Sequence, residues 1–221
     1  MTNETPEPLS PEAELALAWS SPKVRGPLSI ALQLDRRLAR IVMRTSEPML
    51  GQMRLAWWRD ALSKPVAERP RGDVVLDGIG LHWAGSESAL VAMVDGWEVL
   101  VTADRLGQGE AAAFGTARGA FFAALASDSS AALVTRLATA GSRWAMADAA
   151  AAVSDESERA ALIAAGLSTL QGETVTRFPR GLRGLAVLDV LALRALHRGG
   201  RPLMEGRGAS LAALRGAIFL N

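Results

Sequence analysis

Three groups of charged and aromatic side chains are spaced so that a helix would gather them. Arg36, Arg40 and Arg44 recur at every fourth residue with Arg37 beside them, which stacks guanidinium groups along one side of a helix. Such a stripe suits a diphosphate or another acid, and it equally suits a solvated, salt-bridged face. MRLAWWRDAL (Met53–Leu62) joins two tryptophans to the Arg59–Asp60 pair. Adjacent helical residues are rotated by about 100°. Trp57 continues the stripe of Leu50 and Met53 and is expected in the core, so that Trp58 borders a cavity or the surface. Asp95 and Glu98, three apart around Trp97, would share Mg²⁺ if further carboxylates approached. Alone they are partners for an arginine.

The composition removes much other chemistry. The 221 residues contain no cysteine and two distant histidines, His82 and His197, which excludes disulfides, zinc ribbons, iron–sulfur clusters, thiol nucleophiles and an HExxH site. No Walker loop, GxGxxG turn or GxSxG elbow occurs. Lys and Arg total 24 against 23 Asp and Glu, for a net charge of +1, and only Lys23 and Lys64 are lysines. This arginine and alanine bias fits a GC-rich coding genome, and without a basic excess it argues against nucleic-acid binding. No stretch reaches the roughly 20 uninterrupted apolar residues of a membrane span. The opening MTNETPEPLSPE has the character of neither a signal nor a transit peptide. A soluble, cytoplasmic, bacterial-type protein is expected.

The elements that must position these groups read as helices throughout. Residues 1–20 are expected to form a disordered tail, and 21–221 a single domain. Leu34, Leu38, Ile41 and Val42 line one face of Leu28–Arg44. Ser46 is the expected N-cap of a second helix, with Pro48 in its first turn and Lys64-Pro65 as its stop. Val74–His82 is too short for periodicity to decide, and helix is favoured because no partner strand lies nearby. Ser86 or Ser88 is expected to cap a third long helix running to about Leu106, with Leu90, Met93, Val94, Trp97 and Val101 inward. Glu110–Ala126, Ala131–Val153, Ser157–Ala165, Leu182–Arg198 and Leu211–Leu220 complete the series. Short linkers between them predict an all-α, antiparallel helical bundle.

At these same residues the chain resembles the squalene/phytoene synthase family. ALQLDRRLARIVMR (Ala31–Arg44) is similar to that family's first motif helix and EPMLGQMRLAWWRDAL (Glu47–Leu62) to its Trp-Arg helix. SALVAMVDGWEVLV (Ser88–Val101), FGTARGAFFAALA (Phe114–Ala126), GSRWAMADAAAAVSDE (Gly141–Glu156) and Ala192–Phe219 resemble its later helices. The resemblance implies an isoprenoid-synthase bundle. Active members carry two DxxxD pairs that bind Mg²⁺ and, through it, diphosphate. Here Arg40 and Arg44 stand at the first pair, and Ala152 and Glu156 at the second. Guanidinium groups repel the metal, so the implied branch is the catalytically silent one, which includes a respiratory complex I assembly factor.

A non-catalytic binding or assembly scaffold is therefore expected, without cofactor where the family would use Mg²⁺. Its candidate ligand-binding residues are Arg37, Arg40, Arg44, Trp58, Arg59, Asp95 and Glu98, with Asp148 from the second-motif segment. The arginine stripe is expected to pair with Asp95 and Glu98 and so replace the lost ion. The alternative is a prenyl-diphosphate-binding or condensing enzyme whose arginines hold the ligand directly. A third reading, peripheral contact with lipid, is weakened because no helix sets a strongly cationic face against a bulky aromatic one.

Overall fold

The computed structural model describes residues 8–45, 47–171 and 176–219. Among them every regular element is helical, so the chain is all-α. The helices are α1 (Pro11–Ala18), α2 (Pro22–Arg44), α3 (Pro48–Ser63), α4 (Val74–His82), α5 (Ser88–Thr102), α6 (Gln108–Arg118), α7 (Phe121–Ala124), α8 (Ala131–Ala152), α9 (Glu156–Ser168), α10 (Arg183–His197) and α11 (Gly208–Phe219). The most extensive packing links α3 to α5, α5 to α6, α6 to α8, α8 to α10 and α10 to α11. α2 lies against α4 and α5, while α9 covers α8 and α6.

The expected tail is in part a helix. α1 occupies Pro11–Ala18 with Ala13 and Ala16 buried, and it packs on α10. The reason is close approach: a Cβ on Gly184 of α10 would lie 2.1 Å from the Ala16 carbonyl oxygen. Small residues on both sides thus replace the bulky stripe by which amphipathic helices are recognised in a sequence. Residues 1–7 lie outside the described part.

α2 begins at Pro22, earlier than its stripe suggested, because Pro is tolerated in the first helical turn. Leu34 and Leu38 are fully buried as expected, while Ile41 and Val42 are half-buried. α4 is helical, and its N-cap is Asp73, whose Oδ1 accepts from the amides of Val75 and Leu76, both at 2.9 Å. α5 starts at Ser88 with Glu87 at the N-cap position, and it ends at Thr102, short of Leu106.

The expected single helix over Glu110–Ala126 is divided between α6 and α7. Gly119 stands at the division, where a Cβ would come within 2.1 Å of the Gly141 carbonyl carbon of α8. Backbone therefore meets backbone at this crossing, which no side chain larger than hydrogen permits.

α3 reverses one expectation. Trp58 is buried with Leu55, Ala61 and Leu62, whereas Trp57 is exposed together with Leu50 and Met53. The helix carries two apolar stripes about a quarter-turn or more apart, so periodicity alone cannot select the inward one. Packing on α5 selects Leu55–Trp58–Leu62. The expected cap at Ser46 lies outside the described residues.

Candidate functional site

The helices converge on a guanidinium. Arg118 closes α6 and is fully buried. It is held where α5 and α6 touch, since a Cβ on Gly96 would meet the Arg118 amide nitrogen at 2.7 Å. Its Nε donates to Asp35 Oδ1 and its Nη2 to Asp35 Oδ2, both at 2.7 Å, which is the two-pronged geometry of a strong arginine–carboxylate pair. Nη2 also donates to Asp148 Oδ2 at 2.6 Å, and Nη1 to the Ala145 carbonyl at 3.1 Å. α2, α6 and α8 are therefore tied together by one side chain.

Aromatic rings enclose this centre. The Arg118 guanidinium carbon lies 4.6 Å from the ring centroids of both Trp97 and Trp144, and 5.6 Å from that of Phe114. The Trp97 indole N–H donates to Asp35 Oδ1 at 2.8 Å. Burial alone would lower the affinity of Arg118 for its proton, but the adjacent Asp35 and Asp148 carboxylates reverse this and hold the guanidinium well above its ordinary range. A cleft of about 100 Å³ reaches the centre, lined by Asp35, Arg118, Trp144 and Asp148 together with Glu12 and Ala13 of α1.

A second buried cluster joins α8 to α10, where Arg143 Nε and Arg136 Nη2 donate to the two oxygens of Asp189 at 2.8 and 2.5 Å. It fastens these two helices to each other.

The expected site residues fall into separate places. Arg37 pairs with Asp73, the cap of α4, and lies over the Trp58 ring at 5.8 Å. Arg40 is half-buried, and Arg44 is exposed at the end of α2. Asp95 and Glu98 do face an arginine, but it is Arg59 of α3, donating from Nε to Asp95 at 2.7 Å and from Nη2 to Glu98. Burial lowers the Arg59 proton affinity, and these hydrogen bonds more than restore it. Asp95 and Glu98 are thus paired with Arg59, where the sequence pointed to the α2 stripe. Of the expected residues, only Asp148 belongs to the Arg118 centre.

No protein-family model, no curated protein and no solved structure matches this chain. The chemistry of the centre follows from its own atoms. Asp35, Arg118 and Trp144 were not among the expected residues, although their positions carry a signal. Arg118 is the lone charge in FGTARGAFFAALA, and Asp35 lies between Ala31 and Leu38 on the buried side of α2. A charge at a core position demands a buried partner.

The Arg118 centre is suited to bracing the bundle. Four of its five guanidinium N–H groups are engaged, which leaves little donor capacity for a second anion. Among the described residues no group of three or more His, Asp or Glu side chains is placed to hold a metal ion, and no described helix is long and apolar enough to cross a membrane.

Proposed function

We propose that this chain is a squalene/phytoene synthase-like protein used as a non-catalytic binding or assembly scaffold, of the kind that serves respiratory complex I. The observation that carries this reading is Arg118. On the isoprenoid-synthase alignment, Asp35 stands about one turn before Arg40 on the first motif helix, and Asp148 one turn before Ala152 on the second. In an active member, metal and diphosphate occupy the space between those helices. Here Asp35 and Asp148 both bond a protonated guanidinium at 2.7 and 2.6 Å. A divalent cation placed beside it would be repelled, and Ala152 and Glu156 lie exposed at the far end of α8 and the start of α9. The residues present do not fit the family's Mg²⁺.

The alternative reading, a prenyl-diphosphate-binding or condensing enzyme, has weaker support. The cleft at Arg118 measures about 100 Å³, against about 300–1,000 Å³ for pockets that enclose a drug-sized ligand. Of the arginines of α2, Arg37 is moreover committed to Asp73.

A thermal-shift titration with farnesyl diphosphate, with and without Mg²⁺, tests the reading, because a ligand of the native state raises its midpoint. The expected result is no shift in either series. A Mg²⁺-dependent rise would establish a metal site and an enzyme, whereas a metal-independent rise would establish an arginine-lined anion pocket. For the scaffold itself, the expected result is that deletion of the gene lowers assembled complex I. The protein should also migrate with partly assembled membrane complexes.

A further inference from the structure

Each of the three buried arginines among the described residues meets a carboxylate: Arg69 meets Glu87, Arg118 meets Asp35 and Arg143 meets Asp189. Arg194, in the last turn of α10, does not. It is half-buried, and its Nη2 is sealed from water with no hydrogen-bond partner. Among the described residues its guanidinium forms no ion pair. A cation withdrawn from water without a partner costs free energy, which directs the search for its counter-charge outside the chain.

A second cation shares this place. Arg198, one helical turn further on, is exposed, and its guanidinium is likewise unpaired among the described residues. The Nη2 atoms of Arg194 and Arg198 both lie 3.8 Å from the point that a Cβ on Gly206 would occupy, so two positive charges approach one turn of chain. Like charges drawn together repel unless an anion joins them. The end of a helix favours cations through its dipole, but neither guanidinium donates to a carbonyl of α10.

The turn itself carries no side chain where the arginines approach it. Gly206 has φ +78°, which residues with a Cβ rarely adopt. A Cβ on Gly208 would stand 3.3 Å from Arg194 Nη2 and 3.6 Å from its Nε. Glycine at both positions thus keeps side chains off the guanidinium edges.

The surrounding charges agree in sign. Residues 194–208 hold four arginines and one carboxylate, in a chain whose net charge is +1. That carboxylate, Glu205, already faces Arg201 at 3.8 Å. A cationic partner or a second copy of the same turn would be repelled. A carboxylate ligand, with one charge, would leave one of the two arginines uncompensated. A phosphate dianion neutralises both, and its oxygens accept from two guanidiniums at once.

We propose that Arg194 and Arg198, with the turn at Gly206 and Gly208, form a binding site for a phosphate group carried by a small molecule or a lipid headgroup. No residue of the Arg118 centre or of the α2 stripe takes part, so the inference is independent of the function proposed above.

The test titrates the full chain with sodium phosphate at constant ionic strength, followed by phosphorus NMR. Two charge-assisted hydrogen bonds correspond to a dissociation constant on the order of 1 mM. The expected result is saturable binding at one site, with acetate weaker. Arg194→Gln and Arg198→Gln should each weaken it by about tenfold or more. Arg71→Gln, at an exposed and unpaired arginine before α4, should leave it unchanged. In chloride buffer Arg194→Gln should keep or raise the melting midpoint, since it removes an uncompensated charge. Absence of saturation, indifference to Arg194→Gln, an equal loss in Arg71→Gln, acetate binding as tightly as phosphate, or a midpoint several degrees lower in Arg194→Gln would overturn the proposal. Flotation with vesicles containing phosphatidic acid, against phosphatidylcholine alone, separates the two carriers. Flotation that Arg194→Gln abolishes assigns the group to a lipid, and phosphate binding without flotation assigns it to a soluble molecule. A farnesyl diphosphate response that Arg194→Gln removes belongs to this turn, and one that survives belongs to the sites discussed above.

Discussion

Replacing Arg118 by Met should destabilise this protein more than almost any other single change of charge. The substitution removes two bonds to Asp35, one to Asp148 and one to the Ala145 carbonyl. Asp148 is 37% exposed at its side chain, so water restores most of what it loses. Asp35 is buried and would keep only the Trp97 indole N–H. Breaking a buried pair by removing one partner costs about 3–5 kcal/mol. At about 2–4 °C per kcal/mol for a domain of this size, the midpoint should fall by roughly 6–20 °C. Asp35→Asn in the Arg118→Met background should recover part of this, because the stranded charge is then gone. The coupling between the two sites in a double-mutant cycle should be about 2 kcal/mol. Urea and thermal unfolding followed by circular dichroism at neutral pH measure all four proteins. Single variants within about 1 kcal/mol of the parent, or strictly additive effects, would refute the picture of Arg118 as the internal brace.

Three other perturbations probe separate parts of the fold. Arg59→Ala removes the partner of Asp95 and Glu98, but the side chains involved are 30–50% exposed. Its cost should be about 1 kcal/mol or less and should shrink in concentrated salt, as urea titrations at two ionic strengths would show. Gly119→Ala forces a Cβ into the Gly141 backbone and should cost about 3 kcal/mol or prevent folding, read from the melting midpoint or the soluble yield. Burial pushes the Glu87 carboxyl up, but bonds from Arg69 and from the amides of Glu87 and Gly85 outweigh this and hold it below its ordinary value of 4.5. A depressed folded-state value contributes stability above pH 4.5, lost as the pH falls through that lower value. Glu87→Gln should therefore lower stability by about 1 kcal/mol at neutral pH and flatten the acid side of the stability profile measured by denaturant titration.

Local pattern and tertiary packing divide the remaining features. Helices α5, α8 and α10 were legible because each keeps bulky apolar residues at helical spacing. α4 was legible from the lack of a partner strand. α1 was not, since Ala13 and Ala16 bury themselves against Gly184 by smallness, which leaves no amphipathic stripe to read. Asp95 and Glu98 were legible as arginine partners from their spacing. Which arginine they meet depends on α3 lying beside α5, and spacing within one helix cannot reveal that.

By itself the sequence determined that the chain is all-helical, where most of its helices lie, and that arginines and carboxylates would carry its internal electrostatics. These follow from 3.6-residue periodicity, from the turn residues between segments, and from composition. Only the tertiary structure decided that Arg118, Asp35 and Asp148 meet, that Trp58 turns inward and that Trp57 is left outside. Each of these depends on groups far apart in the chain. Arg118 finds Asp35 across 83 residues because α2, α6 and α8 pack around one point, and burial there makes an unpaired charge too costly to leave alone.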